Sequence, residues 1–305
     1  IAIAVLILAS LGAGAWAEGR WGPAAQRAGN RALDILIYGL VPLVTFFTVS
    51  HVKLTAGVGA GLALGWTERL TVIALAWVIG TRVLRLPRPG VGALMVTVGI
   101  ANTGYLGVPL ITVLLGGEPA TGQAITYDVA VSAPVLLLIG FAIGAAFGTR
   151  AGNTPRERLS AFLWRNPPLF AFVAALIAPG WLTPDWAQSA AEVAVFALAP
   201  LGFFALGVNL MHEQEDGVRV FPPPLTPPIG VALGLRLLVA PGVMLAGAAL
   251  VGGVPDAFQL QAGMACGING LAVAHLYGLD LRIVAGAIAW STAIVLAVAT
   301  AVVLL

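Results

Sequence analysis

The stretch Ile100-Ala101-Asn102-Thr103-Gly104-Tyr105-Leu106-Gly107-Val108-Pro109-Leu110 lies in the middle of an apolar run near 91–116. A run of that length is a candidate membrane span. This one carries an amide, a hydroxyl, glycines and a proline at its centre rather than at its ends. A buried Asn is costly in hydrocarbon unless its amide is paired. Glycine weakens a helix, and Pro109 lacks the N–H that would bond one turn back. The expected result is a local unwinding at membrane depth, which is tolerated only inside protein or along a watery cavity.

A second run, near 257–279, is interrupted in the same way by Gly267-Ile268-Asn269-Gly270. Two broken helices meeting at mid-membrane would offer half-helix N-termini, with free N–H groups suited to an anion. Their half-helix C-termini would offer carbonyls suited to a cation. The plainer alternative is that Asn102 and Asn269 are interhelical glue and the glycines are packing contacts. The candidate substrate-binding residues are therefore Asn102, Thr103, Gly104, Tyr105, Pro109, Gly267, Asn269 and Gly270.

The rest of the chain fits a membrane setting. Of 305 residues, 59% are hydrophobic and only 9% are Asp, Glu, Lys or Arg, against roughly 25% in a soluble domain. So few charges cannot cover the surface of a soluble fold of this size. The composition excludes an ordinary soluble enzyme, a disordered protein and a nucleic-acid binder. One cysteine, Cys266, excludes an intramolecular disulfide and a Cys-rich metal site.

About ten apolar runs are long enough to span, near 1–17, 33–50, 67–86, 91–116, 123–147, 167–183, 187–211, 229–252, 257–279 and 281–305. Residues 1–12 followed by Ala15-Trp16-Ala17 resemble a signal-peptide core with its cleavage site, but no basic segment precedes them, and a first membrane helix is the preferred reading. The segment 54–66, with Gly57, Gly61 and Gly65, is too short to span; it reads as a packed interfacial segment or as a Gly-rich loop. The loops after odd-numbered spans hold thirteen arginines, the even ones only Lys53 and Arg69. Basic loops stay in the cytoplasm, so the odd loops are expected inside and both termini outside, in the plasma membrane.

The two halves of the chain resemble each other weakly. Tyr38-Gly39-Leu40-Val41-Pro42-Leu43 matches Phe196-Ala197-Leu198-Ala199-Pro200-Leu201, and Asn102 matches Asn269. The expected division is a first five-helix repeat over 1–148, a cytoplasmic connector over 149–166 and a second repeat over 167–305. An odd number of spans per repeat inverts the second copy, a common plan of secondary transporters.

The stretch from Asn102 to Leu110 resembles the fourth-span motif of the auxin efflux carrier family. Supporting stretches are Tyr38 to Phe47, Arg165-Asn166-Pro167-Pro168, Pro200-Leu201, Arg236 to Pro241 and Gly267 to Asp280. The resemblance covers almost the whole chain. It implies an all-α membrane fold of ten helices in two inverted five-helix repeats, with broken helices four and nine crossing, an architecture shared in outline with bile acid–sodium symporters. It also implies carriage of auxin or a small carboxylate. The chain lacks the long central loop of many plant members and the proline that some relatives have in the ninth-span break.

Other ionisable residues have two readings each. Asp128 is a coupling candidate if it lies inside the membrane, or an interfacial carboxylate in water. His275 is a proton-site candidate, or a neutral His bonded to a neighbouring helix. Arg236 is an interfacial anchor, or the counter-charge to a carboxylate substrate. No nucleotide-binding loop precedes Lys53, and His212-Glu213 lacks a second His at zinc-binding spacing. The expected function is a secondary carrier of a small organic anion, with no catalytic residue, cofactor or metal. Its expected partners are that anion and the lipid bilayer, with a homodimer as the candidate assembly and no nucleic acid. The competing readings are an intramembrane enzyme or receptor on a transporter-like fold, a sodium-coupled anion symporter, and a channel.

Overall fold

The computed structural model describes residues 2–49, 59–115, 118–184, 186–187, 190–191, 200–209, 211 and 223–304. Its helices are α1 (Ala2–Trp21), α2 (Pro23–Phe47), α3 (Gly59–Val83), α4 (Arg88–Gly99), α5 (Thr103–Leu115), α6 (Ala120–Phe147), α7 (Pro155–Trp164), α8 (Pro167–Ile177), α9 (Pro200–Asn209), α10 (Pro227–Val251), α11 (Asp256–Ala262), α12 (Asn269–Tyr277) and α13 (Leu281–Leu304). Prolines open α2, α7, α8 and α10, where the missing N–H would have had no helical partner. Among the described residues, five helices are long and apolar enough to cross a bilayer: α2, α3, α6, α10 and α13. This is a multi-pass helical membrane protein.

The central helix is α4, in which every residue from Gly90 to Gly99 is buried. It packs against α3, the end of α6, α12 and α13. Around it, contacts are close. A side-chain carbon on Gly14 of α1 would lie 2.1 Å from the Phe204 carbonyl oxygen of α9, and one on Gly207 would lie 2.1 Å from that of Leu11. The two backbones meet where only glycine fits, the usual device for packing helices in lipid.

Three sequence expectations are corrected here. Residues from Gly59 onward belong to the long helix α3, so the described part of 54–66 is neither a loop nor a separate segment. Gly61 and Gly65 face Phe258 and Tyr127 so tightly that an added carbon would come within 2.6 and 2.7 Å; Gly57 lies outside the described residues. The second span begins at Pro23 rather than near 33, because its first turns, polar in composition, continue as helix. Arg69 and Arg236 are not loop or interface residues: both are fully buried, on α3 and α10. Of the matching stretches of the two halves, Phe196 to Ala199 falls outside the described residues.

The connector 149–166 docks onto the end of α12. Arg150 donates its backbone N–H to the Tyr277 oxygen (2.9 Å) and its guanidinium to the His275 oxygen (2.8 Å). Tyr277 donates its hydroxyl to Ala161 O on α7 (3.2 Å). A cation at a helix C-terminus is favourable, and Gly278, at φ 71°, ends the helix in the left-handed conformation.

Candidate functional site

Both expected interruptions are present, and the backbone joins them. After α4 the chain turns extended at Ile100 (φ −97°, ψ 110°). The Asn102 N–H donates to the Ala265 oxygen at 2.8 Å, and the Gly267 N–H donates to the Ile100 oxygen at 2.7 Å. These two bonds form an isolated antiparallel bridge between Ala101 and Cys266. Gly267 is required there: a side-chain carbon would sit 2.8 Å from the Ala101 oxygen. Gly270 is not required on that ground, since its added carbon would make ordinary contacts with Val96 and Val284.

The residues beyond the first break form a π turn, Thr103–Gly107. In it the Gly107 N–H donates to Asn102 O (2.9 Å) and the Val108 N–H to Thr103 O. Pro109 follows directly and brings no N–H, so the ordinary helical bond to Tyr105 O cannot form. π turns concentrate at functional positions. Of the five others among the described residues, two, Asp128–Ser132 and Leu235–Val239, carry Asp128 and Arg236; the rest, Leu36–Leu40, Ile79–Val83 and Val135–Gly140, carry none of the site residues.

Asn102 is 2% exposed, and neither atom of its amide makes a hydrogen bond. Buried amides are nearly always paired, so this amide stands out among the buried side chains of the breaks. Asn269 opens α12, its Oδ1 is also without a hydrogen bond, and its side chain lies beside the Tyr105 hydroxyl. Thr103 donates its hydroxyl to Asp128 Oδ1 at 2.5 Å. The Asp128 carboxylate lies directly over Gly104, 3.1 Å from where a side-chain carbon would be. Asp128, half-buried, therefore faces the first break. His275, six residues along α12 from Asn269, is about 9 Å further on, next to the connector; no described contact joins it to the breaks.

The sequence reading missed a charged cluster beneath the bridge. Glu68 is fully buried and pairs with Arg69 Nε at 3.0 Å and with Arg236 Nη1 at 3.7 Å. Tyr127 donates its hydroxyl to Glu68 Oε1 at 2.9 Å, and Arg69 lies 5.9 Å from the Tyr127 ring centre. Arg236 donates to three carbonyl oxygens, Val98 and Met264 at 3.1 Å each, and Ala262. Gln261, also buried, donates to Thr103 O (3.2 Å) and Ala124 O (3.0 Å). One signal for the arginines was available: Arg69 and Arg236 are 167 residues apart, the same separation as Asn102 and Asn269.

The arrangement places the unbonded amide of Asn102, the Asn269 amide with its Oδ1 unbonded, a hydroxyl and a carboxylate around two helix breaks, beside two buried guanidinium groups. Such a set can hold an anion by amide and N–H donation, and can take up or release a proton at Asp128.

No protein-family model matches the chain. The chain is similar to the uncharacterized transporter MJ1031 of Methanocaldococcus jannaschii, with 23% identity over 273 residues, covering 84% of this chain and 82% of that protein.

Proposed function

We propose that the chain is a secondary transporter carrying a small organic anion, auxin-like or a small carboxylate, by alternating access about the two breaks. The similarity to a protein named as a transporter supports the general reading. The observation that carries the finer one is the buried, unbonded amide of Asn102 at the bridge between the breaks. Under this reading the membrane fold has ten spans in two inverted five-helix repeats, 1–148 and 167–305, as in the auxin efflux carriers that the fourth-span motif resembles. Asn102 and Asn269 bind the carboxylate, with Thr103, Gly104, Tyr105, Pro109, Gly267 and Gly270 shaping the site. Asp128 is the coupling group. The test is a thermal-unfolding screen of the purified protein against small carboxylates, since a ligand that binds only the folded state raises stability with concentration. Any hit is then followed as saturable exchange across proteoliposomes. Absence of both a stabilising carboxylate and exchange overturns the proposal, and flux that does not saturate indicates a channel.

A further inference from the structure

We propose that the Arg236 guanidinium is a resident cation of the two breaks, occupying the carbonyl site that a metal ion fills in cation-driven transporters with broken helices. This inference goes beyond the transport reading and does not depend on it. In an unbroken helix Val98 O would accept the N–H of Asn102, and Ala262 O that of Cys266. Here the Asn102 N–H is diverted to Ala265 O (2.8 Å), and the Cys266 N–H is diverted to Ser291 Oγ (3.0 Å).

Both diversions strand a carbonyl at the C-terminal end of a half-helix, where partial negative charge accumulates. Arg236 takes both: Nη1 donates to Val98 O and Nη2 to Ala262 O, while Nε donates to Met264 O. A planar fork with fixed donor directions can bond three such oxygens at once, which an ammonium cannot do with the same geometry. Glu68 Oε2, 3.7 Å from Nη1, supplies the negative charge that such a site needs. The side chain is fully buried. Carbonyl oxygens with one carboxylate are the ligand set of a hard cation, and here the chain supplies the cation itself.

Arg236 is thus a positioning residue that ties both half-helices to α10. Its removal should leave a cage for a small external cation. In Arg236→Ala, purified in detergent, millimolar guanidinium chloride should raise the unfolding temperature by several degrees and saturate. The same concentrations should leave the wild type unchanged or slightly destabilised. Arg69→Ala serves as the control: Arg69 makes no hydrogen bond to any carbonyl, so guanidinium should not restore it. A purely structural role for Arg236 would give loss of stability without saturable rescue, and that result overturns the proposal. If Arg236→Ala cannot be recovered even with guanidinium present throughout, Arg236→Lys decides. It should be less stable than wild type because one ammonium replaces a three-way fork; equal stability would sink the assignment.

Discussion

Arg69 and Arg236 share the two oxygens of one buried carboxylate, Glu68, at 3.0 and 3.7 Å. Three charges out of water, two of them of one sign, would be costly unless their hydrogen bonds were well met. Those of Arg236 are met by the carbonyls stranded at the breaks, and Glu68 also accepts from Tyr127, whereas Arg69 has only its ion pair with Glu68 and the nearby Tyr127 ring. The helices α3 and α10 and both breaks are thereby held by one group of atoms. We expect Glu68→Gln to cost about 3–5 kcal/mol, the usual penalty for unpairing a buried charge. The double variant Glu68→Gln, Arg69→Met should lose less than the sum of the two singles, because the pair is coupled. Additive losses in denaturation of the purified variants would show that the contacts are not coupled.

Asn102→Ala should behave in the opposite sense. Its amide makes no hydrogen bond in the folded chain, so removing it eliminates a desolvation penalty rather than a bond. We expect unchanged or slightly higher thermal stability, together with roughly tenfold weaker binding of a stabilising carboxylate, about one hydrogen bond's worth. Asn269→Ala should weaken binding similarly. Unchanged affinity in both variants would make the asparagines interhelical glue.

The breaks were legible in the sequence because Asn, Gly and Pro at the centre of an apolar run each weaken a helix for a separate reason. Asn102, Thr103 and Gly267 are brought together at the bridge as that pattern implies. The charged cluster was not legible, because position along the chain does not distinguish a helix end from its interior. Arg69 follows Thr67 and Glu68 and so has the composition of a loop edge, and Arg236 stands near the start of an apolar run. Their burial depends on partners far away in sequence, Tyr127 on α6 and the carbonyls of α4 and α11. Asp128 stood out as a coupling candidate, but its contact with the first break was not legible, for a related reason. Its place over Gly104 is fixed by how α6 packs on the π turn, which local pattern does not encode.

The connector offers a pH test outside the membrane. Thr154 caps α7, accepting from the Glu157 N–H (3.2 Å), while Glu157 accepts from the N–H groups of Asn153 (2.7 Å) and Thr154 (3.2 Å). Those backbone bonds hold the Glu157 carboxyl below its ordinary pKa. A depressed folded-state pKa means that the cap contributes fully above the unfolded value, near 4.3. The contribution is lost as pH falls through the lower folded value. Hydrogen-exchange protection of Asn153 and Thr154 should therefore fall as pH drops below the ordinary glutamate range. In Glu157→Gln it should be low at every pH. Protection that persists in the variant would place the cap elsewhere.

Burial of two arginines changes the basis of the topology without reversing it. With Arg69 and Arg236 buried inside α3 and α10, twelve arginines remain in the odd loops or in the helix ends that flank them, Arg27, Arg31 and Arg82 among the latter, and the even loops keep Lys53. We expect the odd loops to be cytoplasmic and both termini external. In a Cys266→Ala background, Lys53→Cys should react with an impermeant thiol reagent from outside intact cells, and Arg85→Cys and Arg156→Cys should not. The reverse labelling pattern would invert the orientation.

Transport should not require sodium. The residues of the two breaks contribute no carboxylate, and the nearby ones are engaged: Asp128 accepts from Thr103 at 2.5 Å, and Glu68 is shared by two arginines. The three carbonyls best placed to hold a cation, those of Val98, Ala262 and Met264, already accept from Arg236. A sodium ion would have to displace a covalently tethered guanidinium from them. Two drives remain. Asp128 can exchange a proton, and the hydroxyl of Thr103 then has to find another acceptor, which would link protonation to the first break. Alternatively the membrane potential alone moves the anion, at about 2.3 kcal/mol per charge per 100 mV. We expect proton coupling, because Asp128 reaches the break directly. Uptake into proteoliposomes should be unchanged when choline replaces sodium at fixed pH and voltage. With a pH gradient imposed, Asp128→Asn should remove the pH dependence, and Thr103→Val should shift it while leaving the carboxyl in place. A large loss of rate on sodium removal would refute sodium independence. Unchanged pH dependence in Asp128→Asn would leave a uniport driven by voltage.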